Sequence, residues 1–145
     1  MRVRDAVEAD AEALAAVGDA PRDVMRNLVH DRTVRVAVRT GGDPGPHADA
    51  SAEPGGDEEV LGFVSFDARS GTVHVTQLGG SVQACERLLG EPIRFAAGEG
   101  MDVELLLGVG EEDIRAAAER VGFDAVGDGP RFDGQATVRY RFEPG

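Results

Sequence analysis

Residues 72–97 read TVHVTQLGGSVQACERLLGEPIRFAA, and this segment decides how the rest of the chain can be arranged. Its first part alternates valine with polar residues, which predicts a strand, and an apolar stripe beginning at Val82 predicts a helix. Between the two lies Gly79-Gly80-Ser81, a turn that ends in an N-cap residue. The first N–H groups of a helix lack intrahelical partners and lie at the positive end of its dipole. The segment therefore predicts a corner that can bind a phosphate group.

The remaining sequence predicts an alternating series of strands and helices. Strands are expected near 2–4 and at 33–39, 60–67, 102–109, 123–126 and 137–143, and helices at 10–17, from 21, and at 111–121. The apolar run at 102–109 predicts a strand covered on both faces. The sequence Gly90-Glu91-Pro92 predicts a kink or a split in the helix that begins at Val82.

This order predicts an α/β fold of the α+β kind. The strand–helix–strand step at 72–109 implies one right-handed parallel crossover in an otherwise antiparallel sheet, with helices on both faces. A length of 145 residues fits a single domain spanning 1–145. Residues 41–59 contain only small, polar, acidic, Gly and Pro residues plus His47, so we expect a flexible insertion there.

Charge and composition exclude several classes of protein. The chain carries 27 acidic and 15 basic residues, every basic one an arginine, for a net charge of -12. Such a field repels phosphates and argues against nucleic-acid binding, and it resembles the surfaces of proteins from salt-loving microorganisms. No apolar run is long enough to cross a membrane and no signal peptide opens the sequence, so we expect a cytoplasmic protein. The single cysteine, Cys85, is expected to pack as a small hydrophobe, with a catalytic thiol as the alternative.

The order of elements resembles that of the GNAT superfamily of N-acetyltransferases. Local similarities lie at Val3-Arg4-x-Ala6-x-x-x-Asp10, at Leu61-Gly62-Phe63-Val64, and at Gly122-Phe123 after the last helix. Together they span nearly the whole chain.

The resemblance implies that acetyl-coenzyme A is the co-substrate. Family members bind its pyrophosphate with backbone N–H groups of a glycine-containing segment, which here is similar to Gln77-Leu78-Gly79-Gly80-Ser81-Val82 at Gln77 and Gly80. Val82 stands where the family usually has Gly or Ala, and the loop is shorter. The resemblance also places the coenzyme between the strands that contain Val75 and Leu105. The implied acceptor is an amine of a small molecule or a peptide, and a monomer and a homodimer both remain open.

His74 is the candidate general base, because the resemblance places its strand beside the cleft and an imidazole can accept an amine proton. A solvent-facing strand histidine is the alternative. The tyrosine that often acts as general acid in the family is Ala118 here, and Tyr140 is expected to pack in the core or at the edge of the sheet. Neither His30 nor His47 has a neighbour at metal-ligand spacing, so no metal is predicted. Two functions follow: acetyl transfer by direct attack of the amine, or a binding or regulatory module that has lost its chemistry.

Overall fold

The computed structural model describes residues 1–18, 20–40, 58–131 and 134–144; residues 41–57, which make up most of the predicted insertion, lie outside the described residues. The strands are β1 (Arg2–Asp5), β2 (Thr33–Thr40), β3 (Glu58–Arg69), β4 (Thr72–Gly80), β5 (Asp102–Gly108), β6 (Asp124–Asp128) and β7 (Thr137–Phe142). The helices are α1 (Ala11–Gly18), α2 (Arg22–Asp31), α3 (Val82–Glu99) and α4 (Glu112–Val121), with a short 3-10 helix at Glu8–Asp10. Within these ranges no helix is long and apolar enough to cross a bilayer.

The strands form one mixed sheet in the order β1-β2-β3-β4-β5-β7-β6. Neighbouring strands are antiparallel except β4 and β5, which are parallel and connected through α3. The predicted fold class, a mostly antiparallel sheet with one parallel crossover, is confirmed. Because β4 and β5 are parallel neighbours, their carboxyl ends lie side by side at one end of the strands, which we call the edge of the sheet.

Helices cover both faces of the sheet, as predicted. On one face Phe63 of β3 packs with buried residues of α1 and α2 such as Leu14 and Met25. Val64, the next residue of β3, belongs to the opposite cluster, which includes Leu88 of α3. This alternation follows from the two-residue period of a strand. The cluster with α1 and α2 draws its strand residues from β2 and β3 alone, so the same face of β4, β5 and β7 can carry polar side chains.

The predicted split of the central helix is wrong. Helix α3 runs without interruption through Gly90 and Pro92. A proline inside a helix removes one hydrogen bond and costs about 3 kcal/mol. Leu88, Leu89 and Pro92 are all buried, and each fully buried leucine contributes about 1.5–3 kcal/mol. Tertiary burial therefore outweighs the local preference for a break.

The prediction that β5 is covered on both faces is also wrong. Its burial alternates, with Val103, Leu105 and Leu107 buried against the helices and Glu104 and Leu106 partly exposed. Glu104 and Leu106 lie on the same face of the sheet as the polar side chains of β3 and β4. An interior strand thus supplies side chains to an open surface, and this surface contains the candidate site.

Candidate functional site

Strands β4 and β5 separate part of the way along their length. Their pairing ends at Val75↔Leu105. Beyond this point β4 stays paired with β3 as far as Gly80, and β5 stays paired with β7 as far as Gly108. Within the described chain, the facing backbone edges beyond this point have no strand partner across the gap. The gap contains a cavity of about 220 Å³, lined among others by Phe63, Thr76, Gln77, Leu78, Leu106 and Glu111.

A β-bulge explains why the two strands separate at this position. Ser65 pairs with Gln77 and Phe66 pairs with Val75, which leaves Thr76 as an extra residue on β4. The Thr76 hydroxyl lies 2.7 Å from Ser65 Oγ and donates a hydrogen bond of 3.1 Å to the Ser65 carbonyl. A bulge bends and twists its strand, so β4 turns away from β5 directly after Val75.

The predicted glycine turn between β4 and α3 is replaced by a continuation of the strand. Gly80 pairs with Gly62 of β3, and Ser81 N donates a 3.0 Å hydrogen bond to the Leu61 carbonyl. Gly80 has a φ of 119°, and a Cβ there would overlap with the Leu61 carbonyl and with Gly62. Glycine is therefore required by the close approach of β3, and only Ser81 separates β4 from α3.

The N-terminus of α3 is open to an anion. Ser81 is confirmed as the N-cap, because its hydroxyl accepts a 3.1 Å hydrogen bond from Ala84 N, while Cys85 N donates to the Ser81 carbonyl at 2.9 Å. These bonds leave the N–H groups of Val82 and Gln83 for solvent or a ligand. The first turn contains no acidic residue. Helix α3 thus carries no carboxylate in its own first turn, although the charge of Glu111, from the start of α4, reaches Cys85 of the same helix.

The residues predicted to bind the coenzyme form a continuous path from the gap to this corner. Gln77 and Leu78 line the gap, together with Val75 where the pairing ends. Gly79 and Gly80 follow on β4, and Ser81 and Val82 begin the corner and the helix. His74 lies outside this path, in a second and larger cavity.

The larger cavity, of about 660 Å³, lies over the polar side of β3, β4 and β5. Its lining includes Arg32, Asp67, Arg69, His74, Glu104 and Thr137. Thr76, Leu106 and Glu111 line both this cavity and the gap. A molecule in the larger cavity can therefore meet a group held between the separated strands.

His74 lies in a row of ionisable side chains that crosses the sheet. The strand registers place Asp67, His74, Glu104 and Arg141 side by side on four neighbouring strands. His74 Nδ1 lies 4.0 Å from Glu104 Oε1. The sequence interpretation did not identify Glu104. The available signal was an acidic residue between Val103 and Leu105 in the strand β5.

The N-terminus of α4, which lies at the same end of the sheet, is acidic instead. Glu111 Oε2, at the N-cap of α4, accepts a 2.8 Å hydrogen bond from Gly108 N, and Glu112 and Asp113 follow in the first turn. Burial, followed by the charge of Glu111, raises the pKa of the Cys85 thiol to about 11. Cys85 is fully buried among the core residues, as predicted, and its thiol lies 3.9 Å from the Gly80 carbonyl oxygen.

The two positions considered for a general acid lie in the core. Ala118 is fully buried on α4 and offers no hydroxyl. Tyr140 is fully buried as well, which confirms its predicted packing role. Its hydroxyl accepts a 3.0 Å hydrogen bond from Arg115 Nε and lies 3.4 Å from Glu119 Oε2. Both partners belong to α4, so the hydroxyl lies on the face of the sheet that α4 covers. Neither residue lines the two cavities described above.

Solved structures of acetyltransferases share this fold over nearly the whole chain. A GNAT-family protein from Desulfovibrio desulfuricans has a TM-score of 0.69 at 18% identity, with 99% of each chain covered. The ribosomal-protein-alanine N-acetyltransferase of Brucella melitensis has a TM-score of 0.71 at 17% identity, again with 99% of each chain covered. YncA of Salmonella typhimurium, solved with its cofactor acetyl-CoA, has a TM-score of 0.69 at 15% identity, covering 99% of this chain and 94% of that one.

No family model matches this chain, and no curated protein matches it in sequence. The three identities lie between 15% and 18%, so the likeness shows the fold. The protein has the GNAT acetyltransferase fold.

Proposed function

We propose that this protein is an N-acyltransferase that transfers an acetyl group from acetyl-coenzyme A to an amine. The observation that carries the proposal is the separation of β4 and β5 beyond Val75, directly beside a helix N-terminus without acidic residues. The fold shared with acetyltransferases, one of them solved with acetyl-CoA, supports it.

The residues at the edge of the sheet fit the coenzyme. The N–H groups of Val82 and Gln83 would hold its pyrophosphate at the positive end of α3. Gly80 allows β4 to stay paired with β3 up to the corner, because a Cβ there would overlap with the Leu61 carbonyl and Gly62. Because only Ser81 separates strand from helix, binding would depend on the helix N-terminus rather than on a long loop. The acyl group would lie in the gap beside Gln77 and Leu78.

When bound, acetyl-coenzyme A supplies a thioester carbonyl that an amine can attack. The unpaired edges of β4 and β5 would orient that carbonyl, and the larger cavity would position the amine. His74 would accept the proton that the amine loses as its nitrogen bonds to the carbonyl carbon. The carbon–sulfur bond breaks, and the leaving thiolate takes a proton from water, since Ala118 provides no acid.

The acceptor would be an amine of a small molecule or a peptide. Solvent-exposed residues such as Arg32 and Arg69 line part of the larger cavity. The cavity can therefore admit one end of a longer chain. The Brucella protein is named for an alanine of a ribosomal protein as its acceptor. The same cavity volume, about 660 Å³, suits a small-molecule amine.

The competing proposal is a binding module without chemistry. The absence of a hydroxyl at Ala118 and the single-residue corner at Ser81 favour it. In that case the corner at Ser81 would hold another ligand or none, and no amine would be acetylated.

The test is release of coenzyme A from acetyl-coenzyme A in the presence of a panel of small amines and peptides. We expect turnover with at least one acceptor. Replacing His74 with Ala should lower kcat about 100-fold and leave KM for acetyl-coenzyme A unchanged. His30→Ala is the matched control, since His30 is an exposed residue of α2 near Glu8 and should leave both constants unchanged. If no acceptor leads to release of coenzyme A, the result would support the binding module instead.

A further inference from the structure

We infer that Glu104 is a positioning residue for His74. Its carboxylate holds the imidazole with Nδ1 protonated, so that Nε2 faces the larger cavity. The inference rests on the proposed function for its kinetic consequence. Its structural part concerns the orientation and tautomer of His74 alone.

The strand register brings the two side chains together. His74 pairs with Glu104 across the parallel strands β4 and β5, one residue before their pairing ends at Val75. Both side chains line the larger cavity. They are partly buried, with 30% of the His74 side chain and 21% of the Glu104 side chain exposed. A charge at this depth is screened less than one on the open surface.

Of the two carboxylates that flank His74 in the row, Glu104 is the one directed at the imidazole. Asp67, on the β3 side, forms an ion pair with Arg32. Glu104 Oε1 lies 4.0 Å from His74 Nδ1. This distance exceeds that of a hydrogen bond, and contacts of this kind often shorten when the substrate binds. A carboxylate beside Nδ1 favours an N–H there, which leaves Nε2 as the proton acceptor.

Two arginines also lie near the carboxylate of Glu104. Arg139 Nε lies 3.8 Å from Glu104 Oε1, and Arg141 Nη1 lies 3.9 Å from Oε2. Both belong to β7, which pairs with β5 over this segment. Their positive charges favour the ionised form of Glu104. When His74 takes a proton, Glu104 would stabilise the resulting imidazolium.

The kinetic test is Glu104→Gln, which preserves the shape of the side chain and removes its charge. Measured with the best acceptor found, kcat should fall at least about tenfold while KM for acetyl-coenzyme A stays unchanged. In the His74→Ala background the same substitution should have no further effect, because a positioning residue acts only through the group it positions.

Asp102→Asn is the matched control. Asp102 lies on the same strand two residues away and contacts the same arginine, with 2.7 Å between its Oδ2 and Arg141 Nη2. Among the residues that the structure describes, Asp102 forms no hydrogen bond or ion pair with His74. Asp102→Asn should therefore leave kcat within about twofold of wild type. An equal loss in both variants would overturn the inference and assign the effect to the Arg141 ion pairs.

A second readout does not require activity. The chain has three histidines, so the ¹⁵N resonances of His74 can be assigned with the His74→Ala variant. At a pH where the imidazole is neutral, wild type and Asp102→Asn should show the Nδ1–H tautomer, and Glu104→Gln should shift the population toward Nε2–H. An unchanged tautomer in Glu104→Gln overturns the inference. An inactive wild type with the expected tautomer shift would refute the proposed function and support the positioning role.

Discussion

The two corners at which β4 and β5 pass into helices differ in length and in the charge of the first helical turn. At the first, Gly80 and Ser81 lead into α3, whose opening turn contains no acidic residue. At the second, Glu111 caps the Gly108 N–H with its own carboxylate, and Glu112 and Asp113 follow. Because β4 and β5 are parallel, both corners lie at the same edge of the sheet.

The difference shows that a strand-to-helix corner is defined by its side chains rather than by its backbone. In a chain with 27 acidic residues, an acid-free first turn on α3 leaves a positive helix end that can bind an external anion. The α4 corner is already neutralised by carboxylates. Anion binding is therefore expected at α3 and not at α4.

The largest expected effect is on folding at the first corner. Gly80→Ala places a Cβ against the Leu61 carbonyl and forces a φ of 119° on a non-glycine residue. We expect the free energy of unfolding to fall by about 3 kcal/mol or more. Urea denaturation followed by circular dichroism measures this loss.

Gly108→Ala is the matched substitution at the second corner. Its Cβ would lie 3.3 Å from Glu111 Oε2, at the movable end of a side chain. The expected loss is below about 1 kcal/mol. Equal losses at the two glycines would contradict the different packing of the two corners.

A second prediction concerns Cys85, a residue of α3 whose pKa is raised to about 11, first by burial and then by Glu111 of the other corner. Below pH 9 the thiol is protonated in both folded and unfolded chains. Above it the unfolded chain loses the proton first, so the free energy of unfolding should fall by roughly 2–3 kcal/mol between about pH 9 and about pH 11.

Urea denaturation across this pH range, compared with Cys85→Ala, isolates the effect of the thiol. The chain has no lysine, so few other groups change charge there. The variant should lose much less stability over the same range. An equal loss in both proteins would show that Cys85 does not cause it.

Most of the fold could be predicted from the sequence because its patterns are local. The alternating valines of β2 and the acidic start and alanine stripe of α4 specify strand and helix without tertiary information. The continuity of α3 could not be predicted, because burial of Pro92 and its neighbours, which only the folded sheet provides, outweighs the local break.

The site was less predictable because it depends on the pairing of distant segments. His74 and Gln77 could be named from one stretch of sequence. Glu104 lies 30 residues after His74 and joins it only through the parallel register. The bulge at Thr76, which opens the gap, depends on how β4 pairs with β3, and no residue type in the strand indicates it.

The most direct test of the account is calorimetric titration of acetyl-coenzyme A into wild type, Gln83→Glu and Glu112→Gln. Gln83 is exposed in the first turn of α3, so a glutamate there adds a carboxylate without disturbing the core. We predict saturable binding to wild type, roughly tenfold weaker binding to Gln83→Glu, or about 1.4 kcal/mol, and an unchanged affinity for Glu112→Gln. Absence of binding to wild type, or equal affinity in all three proteins, would contradict the assignment of the α3 corner as the coenzyme site.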